Sequence, residues 1–169
     1  MVLSYDFVEW FRGFTDAEGS FIIAKRNGNI FSFNFVIGLH IDDKDALYYI
    51  HNTLRLGLVT LDPSRSSVRF IIRTQAEISV LIELFTQNPL NTPKHINFGD
   101  FAKVFNIYME NSSTEARSNT KPLIYDIMIG MNTKRADFYL PFYHYRITPY
   151  WLLGFVEGDG WFSYHPESR

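Results

Sequence analysis

Two acidic residues, Glu18 and Asp159, occupy the same place in two versions of one short motif. The first version runs Trp10 to Phe21, WFRGFTDAEGSF; the second runs Trp151 to Phe162, WLLGFVEGDGWF. Each reads aromatic, two residues, Gly, Phe, then an acidic pair around a small residue, then Gly and an aromatic. Gly13 and Ala17 are four residues apart, as are Gly154 and Gly158, and on a helix such pairs share one face. Small residues at that spacing let two helix backbones approach closely. If the two helices pair, Glu18 and Asp159 meet at their C-terminal ends, where two carboxylates and two negative dipole ends repel. A cation between them removes the conflict. Hard oxygen donors favour Mg²⁺, and carboxylate-bound Mg²⁺ can activate water and stabilise a leaving phosphate oxygen. Phosphodiester hydrolysis is the chemistry that follows. Taken singly, either acid would read as a solvated carboxylate at a helix end; the repetition makes the difference.

The elements that must position these acids are legible from period and punctuation. Asp6 followed by Glu9 fits a capping box before the apolar run Phe7, Val8, Trp10, Phe11 and Phe14, and the helix should end near Gly19. Thr148 as N-cap with Pro149 at the first helical position opens the second motif helix. After Gly19 the period changes to two. Phe31, Phe33, Phe35, Ile37, Leu39 and Ile41 alternate with Ser32, Asn34, Val36, Gly38 and His40, which predicts a half-buried strand. The strand before it, Ser20 to Arg26, joins through Asn27-Gly28-Asn29. A three-residue loop with Gly28 left-handed puts Phe21, Ile23, Phe31 and Phe33 on one face. The opposite face then carries Ser20, Ala24, Arg26, Ser32, Asn34 and Gly38.

Asp42 should cap a helix with Leu47, Ile50 and Leu54 inward, ended by Gly57. A strand near Leu58 to Leu61 turns at Asp62-Pro63 into another with Val68, Phe70 and Ile72 inward and Arg69, Ile71 and Arg73 outward. Ile78, Leu81, Ile82 and Phe85 mark a helix. The turn-rich stretch Asn88 to Lys94 precedes a helix bearing Phe98, Phe101, Phe105 and Tyr108. Asn111 to Asn119 reads as a polar loop. Ile124, Ile127, Met128 and Met131 mark a further helix, and Thr133 to Pro149 reads as a linker.

At 169 residues and 46% hydrophobic, the chain can bury one good core. No apolar run approaches the roughly 20 residues that span a bilayer, so no membrane role is expected. Cysteine is absent, which excludes a disulfide frame and a thiolate metal site. The N-terminus resembles neither a signal nor a transit peptide. The net charge of −2, from 16 basic and 18 acidic residues, counts mildly against nucleic-acid binding, although local clustering matters more than the total.

The two motifs, FRGFTDAEG and LLGFVEGDG, resemble the LAGLIDADG motif of homing endonucleases and intron maturases. The resemblance is specific because the motif occurs twice and each copy leads into a strand, and it extends in organisation from about Asp6 to about Arg73 and into PLNTPK. It implies an α+β chain of αββαββα order with a saddle-shaped antiparallel sheet, plus the first helix of a second copy. The implied division is 1–132 as the first domain, 133–149 as linker, and 150–169 as the start of a second domain holding its helix and one strand beginning, GWFSYHP. Carried over from the family, Glu18 and Asp159 are metal-binding catalytic acids, and Ala17 and Gly158 sit where main-chain carbonyls often help ligate metal. Lys94 matches a basic residue that approaches the scissile phosphate. Gly13, Ala17, Gly154 and Gly158 form the helix interface. Ser20, Ala24, Arg26, Ser32, Asn34, Arg69 and Arg73 would read double-stranded DNA, with Arg to guanine and Asn to adenine as the favoured pairings.

The function implied is an intron-encoded endonuclease making a Mg²⁺-dependent double-strand break at a long target, as a pseudo-dimeric monomer or complemented by another chain. The alternatives are an RNA maturase acting on intron RNA and an inactive remnant. The expected location is the mitochondrion.

Overall fold

A computed structural model describes residues 2–28 and 30–160. Its first helix, α1 (Tyr5–Glu18), is followed by strands β1 (Gly19–Lys25) and β2 (Phe31–His40), helix α2 (Lys44–Leu54), and strands β3 (Leu58–Asp62) and β4 (Ser67–Ile72). Helices α3 (Gln75–Gln87), α4 (Lys94–Glu110) and α5 (Thr114–Ile129) complete this unit, and α6 (Pro149–Asp159) carries the second motif. The four strands form one antiparallel sheet in the order β1-β2-β4-β3. The αββαββα order expected from the motif resemblance is thus present, with two helices added before α6.

The hairpin register follows from its loop. Lys25 pairs with Phe31 and Arg26 N donates to the Ile30 carbonyl (2.8 Å), so the chain reverses between Arg26 and Ile30, with Gly28 at φ +70°. Gly tolerates that left-handed conformation without a Cβ penalty. Phe21 then faces Phe35, and Ile23 faces Phe33, all on the buried side. A two-residue loop would have flipped one strand's apolar set to solvent. Onto this face pack α1, α3 and α4. Phe35 lies among Phe11, Phe21 and Phe85 with ring centroids 5.2 to 6.2 Å apart, in the range where aromatic pairs attract.

Several local expectations are corrected. The N-cap of α1 is Ser4, whose hydroxyl accepts from Phe7 N (3.2 Å), not Asp6. Glu9 is therefore no capping-box partner; it is wholly buried and satisfied elsewhere. Asp42 lies in a short 3₁₀ turn, Ile41–Asp43, ahead of α2, and Asp43 is the N-cap without a side-chain bond. Arg55 in the left-handed region (φ 54°) ends α2, two residues before Gly57. The stretch Asn111 to Asn119 is mostly helical. Ser113 caps α5 by accepting from Ala116 N (3.1 Å), and Arg117 lies 4.5 Å over the Tyr108 ring, with Nε donating to the Asn111 carbonyl (3.1 Å). Its polar composition hid a solvated helix side. Pro122, exposed inside α5, removes a bond only from the exposed Ser118 carbonyl.

The stretch from Thr133 to Thr148 contains only a short 3₁₀ turn, Phe142–His144, and the end of another, Asn132–Lys134. It is nonetheless tied down. Asn132 donates through Nδ2 to the Phe21 carbonyl on the sheet edge (3.0 Å) and through its main-chain N to Asn97 Oδ1 (2.9 Å). Arg135 pairs with Asp100. His144 Nε2 donates to the Leu90 carbonyl (2.6 Å), and Asn91 and Arg146 exchange two hydrogen bonds (2.7 and 2.9 Å). The expected strand beginning after Gly160 lies outside the described residues.

Candidate active site

Helix α1 is buried on almost every side, which its sequence dictates in three stripes. Phe7, Phe11 and Phe14 face the sheet and the helices behind it. Gly13 and Ala17 face α6. Glu9, Arg12 and Asp16, spaced three and four apart, form a buried polar stripe toward residues 88–93 and the stretch leading into α6.

The two motif helices lie side by side and run the same way. A Cβ on Gly13 would fall 1.9 Å from the Trp151 carbonyl oxygen, and one on Gly154 would fall 2.0 Å from the Trp10 carbonyl oxygen. The contact is reciprocal, as a local two-fold axis requires. A Cβ on Gly158 would meet the Ala17 Cβ at 2.5 Å and the Glu18 Cγ at 3.2 Å. Gly13, Ala17, Gly154 and Gly158 are therefore all in the helix contact. Two further bonds repeat the symmetry: Trp10 Nε1 donates to Glu157 (2.6 Å), and Trp151 Nε1 donates to Asp16 (2.8 Å).

This contact brings the ends of both motifs together. Glu18 is half-buried, and burial raises its carboxyl above the ordinary value; the Lys94 charge lowers it and the Asp159 charge raises it further. Lys94, the first residue of α4, extends Nζ to the carbonyls of Thr15 (3.4 Å) and Ala17. Burial lowers its ammonium from the ordinary value, opposed by Glu18, Asp16 and Asp159. The donors at this end are carboxylate and carbonyl oxygens, which suit a hard divalent cation. The Ala17 carbonyl already accepts from Lys94, so its remaining lone pair is the one open to a metal.

The exposed sheet face lies on the side away from the aromatic core. Ser20, Arg26 and Arg69 are exposed there, and Ala24, Ser32 and Asn34 half-exposed; Arg73 is exposed just past the end of β4. Arg26 donates through Nε to Ser32 Oγ (3.0 Å). Arg69 stands between Gly38 and Thr60 on the neighbouring strands. The face also holds Ile22, Val36 and Ile71, so it is less polar than its alternation suggested.

Sequence reasoning missed Glu9, Arg12, Asp16, Asn91 and Thr92. Arg12 donates to Glu9 (2.8 Å) and twice to the Pro89 carbonyl; Glu9 also takes Arg146 and the Thr148 hydroxyl (2.8 Å). The spacing of Glu9, Arg12 and Asp16 in an otherwise apolar helix was the available signal.

A four-stranded antiparallel sheet under a motif helix that pairs with its own repeat defines the class to which known proteins can be compared. The family model described as LAGLIDADG endonuclease matches residues 11–105, and the chain belongs to that family. It is 29% identical over 162 residues to the probable intron-encoded endonuclease Cox1-I1b of Schizosaccharomyces pombe, covering 94% of this chain and 41% of that protein. It is 26% identical to the mitochondrial protein RF1 of Saccharomyces cerevisiae, covering 96% and 33%. Among solved structures, the homing endonuclease I-GzeII in complex with its DNA target superposes with a TM-score of 0.75 at 27% identity, over 93% of this chain and 59% of that one. The meganuclease I-CpaMI bound to uncleaved DNA gives 0.76 at 25% identity, over 90% and 58%. The chain thus spans well under two thirds of each of these relatives.

Proposed function

We propose that this chain supplies one DNA-reading half, and the second motif helix, of an intron-encoded endonuclease that makes a Mg²⁺-dependent double-strand break for intron homing. The observation that carries this is the reciprocal approach of Gly13 and Gly154, which sets Glu18 beside the end of the second motif. Glu18 and Asp159, with the carbonyls of Ala17 and Gly158, would hold the metal. Bound there, Mg²⁺ would supply water activation and charge for the leaving oxygen. Glu18 is suited to receive it, because its ionised form lacks compensation beyond Lys94. Lys94 directs Nζ at the Thr15 and Ala17 carbonyls, within electrostatic reach of both acids, and would stand near a phosphate drawn to the same place. Ser20, Ala24, Arg26, Ser32, Asn34, Arg69 and Arg73 would face the major groove of double-stranded DNA. Similar structures solved with bound DNA support that partner, and fungal intron-encoded and mitochondrial relatives support an organellar origin.

On this reading residues 1–132 are the first domain, 133–149 the linker, and 150 onward the opening of a second copy. The exposure of α6 supports it. Leu152 and Leu153 are 50% and 48% exposed, whereas Phe11 and Arg12 at the matching places of α1 are 0% and 1%. That outward face of α6 would be covered by a second sheet, in the same chain or supplied by another.

One feature favours RNA binding as a second activity. The stretch before α6 exposes Phe138 (54%), Phe142 (93%) and Tyr143 (87%), with the exposed Lys134 in the same segment. Free aromatic faces with cations nearby stack unpaired bases. Cleavage of intron-less target DNA with Mg²⁺, lost in Glu18→Gln, is the outcome expected of the endonuclease. Splicing stimulation that survives Glu18→Gln, without cleavage, would replace it with the maturase reading.

A further inference from the structure

Asp16 is an acid of the first motif that faces away from the carboxylate pair, and it is only 4% exposed. A buried carboxylate is retained only when its lone pairs are satisfied. Here four donors reach it. Oδ1 accepts from Thr92 N (2.9 Å) and the Thr92 hydroxyl (2.7 Å); Oδ2 accepts from Asn91 N (2.8 Å) and Trp151 Nε1 (2.8 Å). The same Thr92 hydroxyl accepts from Lys94 N (3.3 Å), which caps the start of α4. One side chain on α1 therefore grips α6 through an indole and the turn before α4 through three bonds. Those are the elements that bring Asp159 and Lys94 to Glu18.

The symmetry mate sharpens the point. Glu157, at the matching place of the second motif, takes the Trp10 indole alone among the described residues. The interhelical bond is thus common to both copies, and the grip on the turn before α4 belongs to the first.

We propose that Asp16 is a positioning residue, whose carboxylate holds the Lys94 turn and the second motif helix in register with Glu18. The proposal rests on the endonuclease reading for its consequence in catalysis but not for its geometry. Misplacing reacting groups by about 1 Å can slow a reaction on the order of a hundredfold. The loss should therefore appear in the cleavage step rather than in DNA affinity, which on the endonuclease reading the sheet face would carry.

The test uses Asp16→Asn, Thr92→Val, Thr92→Ser and Trp151→Phe in this chain, assayed together with the sheet-bearing half that would cover the outward face of α6. Asparagine turns one acceptor atom into a donor that faces donors, so Asp16→Asn is the severe variant. Thr92→Val keeps the shape and removes only the hydroxyl link. Single-turnover cleavage should fall about tenfold or more in Thr92→Val and Trp151→Phe with DNA affinity within about threefold, and Thr92→Ser should restore it. Cleavage at the wild-type rate in both variants would overturn the proposal. If the wild type cuts no DNA, the endonuclease reading fails separately, and backbone amide exchange still decides the geometry. Amides of Asn91, Thr92 and Lys94 should exchange at least about tenfold faster in Thr92→Val than in Thr92→Ser. Exchange at the wild-type rate in both Asp16→Asn and Thr92→Val would show that Asp16 does not hold this turn. Should Asp16→Asn fail to fold, Thr92→Val carries both measurements.

Discussion

Glu18 is the residue at which stability and the proposed metal binding pull apart. Its folded-state pKa lies above the ordinary carboxylate value because burial disfavours the charge and Asp159 adds repulsion, with Lys94 opposing both. The native state therefore holds this proton more tightly than the unfolded chain does. Stability from the protonated form is complete below the ordinary value of 4.5 and is lost as pH rises through the raised value. Glu18→Gln should accordingly melt at a higher temperature than the wild type at neutral pH without divalent cation. The difference should vanish in melts taken below pH 4.5. Added Mg²⁺ should raise the melting temperature of the wild type and leave Glu18→Gln unmoved; an equal rise in both would remove Glu18 from the proposed metal site. On the sheet face, Arg69 is exposed between two strands that leave it room. Arg69→Ala should weaken specific DNA binding by about 1–3 kcal/mol if it reads a base, with specificity relaxed at one position. A uniform loss across sequences, with a shallower salt dependence, would make it a phosphate contact instead.

At the scale of elements, the interface of α1 and α6 depends on missing side chains. A methyl on Gly13 would penetrate the α6 backbone at the Trp151 carbonyl, and backbone cannot turn aside as a flexible side chain can. Gly13→Ala should cost about 1–3 kcal/mol or more, the range for overpacking a close contact. Gly154→Ala should cost a similar amount, because its clash with the Trp10 carbonyl mirrors the first. Gly38→Ala is the control. Its Cβ would meet only the Arg69 Cγ, at 3.9 Å, so thermal stability should hold or rise slightly. Denaturant melts of the three variants distinguish a helix contact that needs glycine from a general aversion to alanine. The aromatic core behaves differently: Phe35→Ala removes a ring that touches three others and should cost about 3–5 kcal/mol.

The molecule as a whole is joined by a buried polar stripe rather than by hydrophobic contact alone. Glu9 binds Arg12 on its own helix, Arg146 before α6, and the Thr148 hydroxyl that caps α6. Both side chains of the Glu9–Arg12 pair are 1% exposed. Removing one partner strands the other charge in the interior. Glu9→Ala should therefore destabilise by about 3–5 kcal/mol. The loss should appear as early release of α6 from α1, readable as exposure of Trp10 and Trp151 in fluorescence before the sheet unfolds. A single cooperative transition with no such precursor would show that the stripe does not govern the docking of α6.

How far the primary structure reaches is clearest where local rules met tertiary demands. The strand alternation of Phe31 to Ile37, the hairpin loop at Gly28 and the N-cap at Thr148 were all legible, because each depends on neighbours within a few residues. The repeat also singled out Gly13, Gly154, Glu18 and Asp159, since two copies of a small-residue face imply a partner face. Glu9 was misread as a cap because a capping box has the same spacing as part of a buried polar stripe. Asn111 to Asn119 was misread as a loop because polar composition does not distinguish a solvated helix side from a coil. Asp16 had no local signal for its four donors, which come from residues 91, 92 and 151. Sequence alone thus determined the family, the strands and the small-residue face by which the two motif helices meet, because short-range periodicity and repetition encode them. Only the folded chain decided which distant groups satisfy the buried Glu9, Arg12 and Asp16, because burial makes a polar group choose partners by position in space.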